Sequence, residues 1–252
     1  MKRFLLAAFA LLSGPAAAQA DEFNVAVAAN FTAPAKEIAT AFERKTGHKP
    51  ILSFGATGQF YAQIKQEAPF VVFLAADDET PRKAVEEGLA VPESRFTYAV
   101  GRLVLWTKAS GSPLGEDTLR KGAFDKLAIA NPATAPYGAA AVQAMKTMGV
   151  FETLQPKIVQ GNTIAQTFQF AEAGAAELAF VALSQVIARP DGARWPVPEA
   201  LHDPILQDAV LLKKGAGNEA AKAFLAFLKG PEAATVISKY GYGTKADPAA
   251  SN

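Results

Sequence analysis

The chain has 252 residues, half of them hydrophobic, with a formal net charge of +1 and no cysteine. So even a balance provides no basic face for nucleic acid. The missing cysteines exclude disulfides, thiol catalysis and Cys-ligated metals, and two histidines are too few for a His/Cys metal cluster.

Residues 1–20 read as a secretory signal peptide. Lys2 and Arg3 are followed by an apolar run at 4–12, a Gly14-Pro15 break and the small-x-small site Ala18-Gln19-Ala20. The run is too short to span a bilayer as a helix. Its removal takes away two basic groups and no acidic one, so the formal charge becomes −1 on an exported chain long enough for two lobes.

Residues 24–29 predict a buried strand, with Val25 and Val27 on one face and alanines on the other. Ala35, Ile38, Ala39 and Phe42 then recur at helical spacing until Gly47 and Pro50 stop the helix. Strands are predicted at 51–54 and 70–74, with a helix marked by Phe60, Tyr61 and Ile64 between them. A helix at 80–87 has Pro81 in its first turn and Gly88 at its end. The acidic run Asp77-Asp78-Glu79 before it reads as favourable charge at a helix start. One long strand is predicted at 100–107, a short one at 127–130, and a turn at Pro136-Tyr137-Gly138 leads into a helix through Met145 and Met148. Strands at 157–160 and 178–181 flank a helix at 164–173. Residues 191–198 read as loop, 207–213 as strand, 219–228 and 231–239 as helices, and the tail after Tyr242 as disordered.

Strand–helix alternation predicts an α/β fold of two lobes, each a mostly parallel sheet flanked by helices with a ligand cleft between them. The lobes are expected at 21–102 plus 208–252 and at 103–207, with a hinge near 100–103 and 206–208. No internal repeat is visible. Four polar loops, each after a strand and before a helix, carry no Lys or Arg: Ala28-Ala29-Asn30, Gly55-Ala56-Thr57-Gly58, Ala135-Pro136-Tyr137-Gly138 and Gly161-Asn162-Thr163-Ile164. Helix starts present free backbone N–H groups and partial positive charge, a ready place for an anion. No Gly-x-Ser-x-Gly elbow and no phosphate-gripping P-loop occurs, so neither an enzyme nor a cofactor is expected.

At these loops the chain resembles the periplasmic molybdate-binding proteins of ABC transporters. The similarity is carried by Val27-Ala28-Ala29-Asn30-Phe31, Ser53-Phe54-Gly55-Ala56-Thr57-Gly58, Ala75-Ala76-Asp77-Asp78, Pro136-Tyr137-Gly138, Phe180-Val181-Ala182-Leu183-Ser184-Gln185 and Lys239-Tyr240-Gly241-Tyr242. The resemblance implies a monomeric periplasmic binding protein that closes on molybdate or tungstate and delivers it to a membrane permease. It also implies that ligand oxygens are held by the Asn30 side chain, the Thr57 hydroxyl and backbone N–H groups at Tyr137 and Ile164. Ala29, Ala56, Thr163 and Ala182 are further candidates. Ala29 stands where some members have a hydroxyl and Ala182 where some have a Tyr, and Thr163 replaces Ile164 if the fourth loop shifts by one.

Molybdate is a tetrahedral dianion without a proton at neutral pH, so a fitting site offers only donors. Phosphate usually carries a proton there and would need an acceptor; the loops contain no Asp or Glu. Sulfate and chromate share molybdate's donor requirement, so other oxyanions remain as alternatives, together with an exported enzyme or a ligand sensor on the same fold.

Overall fold

The computed structural model describes residues 20–111 and 113–243. Residues 1–19 of the signal peptide expected at 1–20, and the tail beyond Gly243, lie outside them. Gly243 itself pairs with Val100 as an antiparallel bridge, so ordered structure extends past Tyr242.

The first half alternates as the periodicity predicts. β1 (Glu22–Ala28), α1 (Thr32–Thr46), β2 (Lys49–Gly55), α2 (Thr57–Lys65), β3 (Val72–Leu74) and α3 (Glu79–Glu86) follow in order. Gly47 ends α1 with φ +79°, a left-handed conformation that a residue with a Cβ rarely adopts. Next come β4 (Phe96–Gly101), β5 (Leu103–Thr107), α4 (Glu116–Lys121), β6 (Leu127–Ala130), α5 (Pro136–Thr147) and α6 (Phe151–Leu154). β7 (Ile158–Gly161), α7 (Ile164–Glu172), β8 (Leu178–Ala182), α8 (Leu183–Val186), β9 (Ala193–Pro196), β10 (Ile205–Leu211), α9 (Glu219–Leu228) and α10 (Pro231–Lys239) complete the described chain.

Two five-stranded sheets result, ordered β2-β1-β3-β10-β4 and β7-β6-β8-β5-β9. In the first, β2, β1 and β3 are parallel, while β10 runs antiparallel to β3 and β4. In the second, β7, β6 and β8 are parallel, and β5 runs antiparallel to β8 and β9. Each sheet therefore has four strands running one way and one reversed. The two orders are the same topology with different strand numbers, a structural repeat that the sequence does not display.

Helices cover both faces of each sheet. Val25, Val27, Ile38, Phe42 and Phe224 pack on one side of the first sheet, and Ala26, Phe60, Phe73 and Val210 on the other. The second sheet buries Leu105, Ile129, Met145 and Phe180 on one side and Val104, Trp106 and Val181 on the other.

The short helices α4, α6 and α8 were not expected, and three strand assignments also depart from the sequence reading. The single strand expected at 100–107 is two strands in different sheets: β4 pairs with β10, and β5 with β8 and β9. The chain crosses at the exposed Arg102, and Gly101-Arg102 marks the change of partner between two apolar stretches. The loop expected at 191–198 contains β9, an edge strand on β5 that includes Pro196. Proline is tolerated there because an edge strand has a side without ladder partners. The return strand begins at Ile205 rather than Gln207, and all its pairs lie in the first sheet.

Candidate functional site

Thr57 is the first residue of α2, Tyr137 the second of α5 and Ile164 the first of α7, while Asn30 lies in a 3-10 turn (Ala29–Phe31) leading into α1. The shared topology places these four starts at equivalent positions: after the first and second strands of each parallel set. All four line one small cavity between the sheets, together with Ala28, Ala29, Gly55, Ala56, Ala76, Ala135 and Pro136. No charged side chain lines it.

The walls are joined across the cavity. Gly58 N–H donates to the Thr134 carbonyl at 2.9 Å, and Ser184 Oγ to the Asn30 carbonyl at 2.8 Å. A larger groove adjoins the cavity at Ala76, Ala135 and Pro136, but Asp77, Asp78, Glu79 and Asp203 line it against the single cation Lys83. Carboxylates repel an anion, so the small cavity and not the large groove suits one.

Thr57 is fully buried, and its Oγ1 accepts a hydrogen bond from Ala76 N–H at 2.9 Å. With a lone pair thus occupied, the hydroxyl hydrogen remains available to donate. At α5, Gly138 N–H closes on the Ala135 carbonyl and Pro136 has no N–H, which leaves Tyr137 N–H as the free donor of that turn. The helix fits so tightly that a Cβ on Gly138 would lie 2.1 Å from the Ala130 carbonyl oxygen.

The two candidates of the fourth loop are placed differently. Thr163 is the N-cap of α7; its Oγ1 accepts from Gln166 N–H at 3.1 Å, and the Gln166 side chain accepts from Asn162 N–H. Ile164 lines the cavity and Thr163 does not. Ala182 also stands outside the lining: it ends β8, where Gln185 accepts from its N–H at 2.9 Å. Ala29 and Ala56 both reach the cavity.

Asn30 lines the cavity, yet its side-chain donors point elsewhere. Nδ2 donates to Gln207 Oε1 at 2.9 Å and to the Tyr242 hydroxyl at 3.0 Å. An amide nitrogen carries two hydrogens, so both are engaged. The Asn30 side chain thus turns its donors to the buried cluster, while its backbone N–H lies at the start of the turn, where such groups lack an acceptor within the helix. Sequence reasoning did not find Gln207 or Tyr98 at all. Two polar residues in succession, Gln207 and Asp208, in an otherwise apolar strand were the available signal.

Asp77 follows β3 at the edge of this region. Its carboxylate accepts from Thr80 N–H and Oγ1 at 2.9 and 3.0 Å, as a helix-start acid should. Burial nevertheless raises its pKa from 3.8 to about 6. Among the described residues, no group of three or more His, Cys, Asp or Glu could hold a metal ion.

Residues 23–243 match the model of the bacterial extracellular solute-binding protein family. The chain belongs to that family. It is 55% identical over 239 residues to the molybdate-binding protein ModA of Rhodobacter capsulatus, covering 94% of this chain and 95% of the relative. Identity to the molybdate-binding protein ModA of Azotobacter vinelandii is 57% over 231 residues, covering 90% and 92%. The solved structure of a periplasmic molybdate-binding protein from Azotobacter vinelandii superposes with a TM-score of 0.85 at 38% identity, covering 88% of this chain and 99% of that one. This solute-binding protein thus shares its two-sheet architecture with a periplasmic binding protein.

Proposed function

We propose that this solute-binding protein captures molybdate, and with it tungstate, in the periplasm and hands the ion to an ABC permease as a monomer. The supporting observation is the cavity itself. Four helix starts from two walls meet there, with one free hydroxyl hydrogen, no carboxylate and no Lys or Arg. An ion that only accepts hydrogen bonds is matched by a site that only donates them, and bonds to a charged acceptor are about twice as strong as neutral ones. The high identity to molybdate-binding relatives over nearly the whole chain supports molybdate as the ion. The ligand-facing donors on this reading are Thr57 Oγ1 and the backbone N–H groups at Asn30, Tyr137 and Ile164. The lobes divide at the two crossings; the second, expected at 207/208, moves to the start of β10, giving 21–102 with 205–243, and 103–204.

Thermal unfolding of the purified protein with molybdate, tungstate, sulfate, phosphate or no added anion tests this. An anion at 100 times its dissociation constant adds about 2.7 kcal/mol of stability. The expected result is a raised midpoint with molybdate and tungstate alone. A rise with sulfate alone moves the ligand to another oxyanion, and no rise with any anion overturns the site.

A further inference from the structure

Below the cavity, six buried polar side chains from both walls form one hydrogen-bonded cluster: Asn30, Tyr98, Tyr137, Ser184, Gln207 and Tyr242. Gln207, fully buried, is its hub. Oε1 accepts from Asn30 Nδ2 at 2.9 Å and lies 3.0 Å from the Tyr98 hydroxyl, while Nε2 donates to the Tyr137 hydroxyl at 3.1 Å. Asn30 and Tyr137 belong to the two helix starts that face each other across the cavity. One amide thus holds a residue of each wall.

The hub has little freedom to move. Gln207 sits at a register shift in the β10–β4 pairing, and the next residue, Asp208, accepts from Arg95 at 2.8 Å and Thr97 at 2.7 Å. On the neighbouring strand, Gly101 brings bare backbone against the cluster: a Cβ there would lie 2.2 Å from the Tyr137 hydroxyl and 2.7 Å from Gln207 Nε2. Tyr242 closes the far side, with its hydroxyl 2.8 Å from the Asn30 carbonyl and 3.0 Å from Ser184 Oγ. Burial holds the Tyr98 and Tyr137 phenols well above their ordinary range, so the cluster stays uncharged beneath a site for an anion.

We infer that Gln207 is a specificity-determining positioning residue: by fixing the Asn30 and Tyr137 helix starts relative to each other, it sets the size of oxyanion the cavity accepts. This rests on the oxyanion reading above. Sulfate and molybdate present the same acceptors, so donor chemistry cannot separate them; only the spacing of donors can, and a rigid spacing needs something to hold it.

Two variants test the inference. Gln207→Met keeps the length of the side chain and removes its polar atoms. Tyr137→Phe keeps the ring and the backbone N–H and removes only the hydroxyl that Gln207 Nε2 donates to. Calorimetric titration gives the molybdate and sulfate dissociation constants of wild type and both variants, with the unfolding midpoint of each protein read without anion. The expected result is a sulfate-to-molybdate ratio moved toward unity by about tenfold, the worth of one or two hydrogen bonds. A purely structural role would lower the midpoint and change both constants by one factor; an unchanged ratio in a folded variant overturns the inference. Should Gln207→Met fail to fold, Tyr137→Phe decides alone. If wild type binds neither anion, the oxyanion reading falls first and takes this inference with it, an outcome visible before any variant is compared.

Discussion

Thr57 and Asn30 end neighbouring strands of the same sheet but orient their polar groups differently. The Thr57 hydroxyl is left with its hydrogen to donate, whereas both Asn30 amide hydrogens are engaged in the buried cluster. Thr57→Ala is therefore expected to weaken molybdate binding by about 1.5–3 kcal/mol, the range for a hydrogen bond to a charged group, as read by calorimetric titration. Asp77 offers a second measurement. Its pKa is raised on folding, so between pH 4 and 6 the native protein holds a proton that the unfolded chain releases, and this group's contribution to stability declines as pH rises. In Asp77→Asn, unfolding midpoints measured from pH 4 to 7 are expected to decline less steeply than in wild type. The loops holding Thr57, Tyr137 and Ile164 were legible because each stands at a strand-to-helix junction, while the choice of residue within each came from the resemblance. The hub was not: Gln207 meets Asn30 across 177 positions and Tyr137 across 70, and no local pattern records such a meeting.

At the scale of elements, the parallel strands and their helices announce themselves through periodicity and through glycines at helix ends. What escaped was choice of partner. The stretch from Val100 to Thr107 is broken by Gly101-Arg102, and the assembled sheets show that its two halves pair with different neighbours on either side of that break. β9 escaped because an edge strand with alternating exposure and a terminal proline has no apolar run to detect. The junction between β6 and α5 makes a sharp prediction of its own. A methyl group on Gly138 would collide with backbone rather than with a movable side chain. Gly138→Ala is expected to cost about 1–3 kcal/mol, as overpacking does. The unfolding midpoint should drop by several degrees for a chain of this size.

On the scale of the whole molecule, the hydrogen bond from Gly58 N–H to the Thr134 carbonyl joins the two walls directly. An ion gripped from both sides favours the arrangement in which that bond exists, so occupancy and closure rise together. Amide hydrogen exchange at Gly58 is expected to slow when molybdate is added; an unchanged rate would separate closure from binding. The matching order of the two sheets has a consequence for the shape of the ligand. Two copies of one topology facing each other across a cavity stand to one another much as the halves of a twofold dimer do, here contained in a single chain. A tetrahedron carries twofold axes of its own. An oxyanion lying on the pseudo-dyad can hand two oxygens to each half, and the same pair of strand ends can receive them on either side.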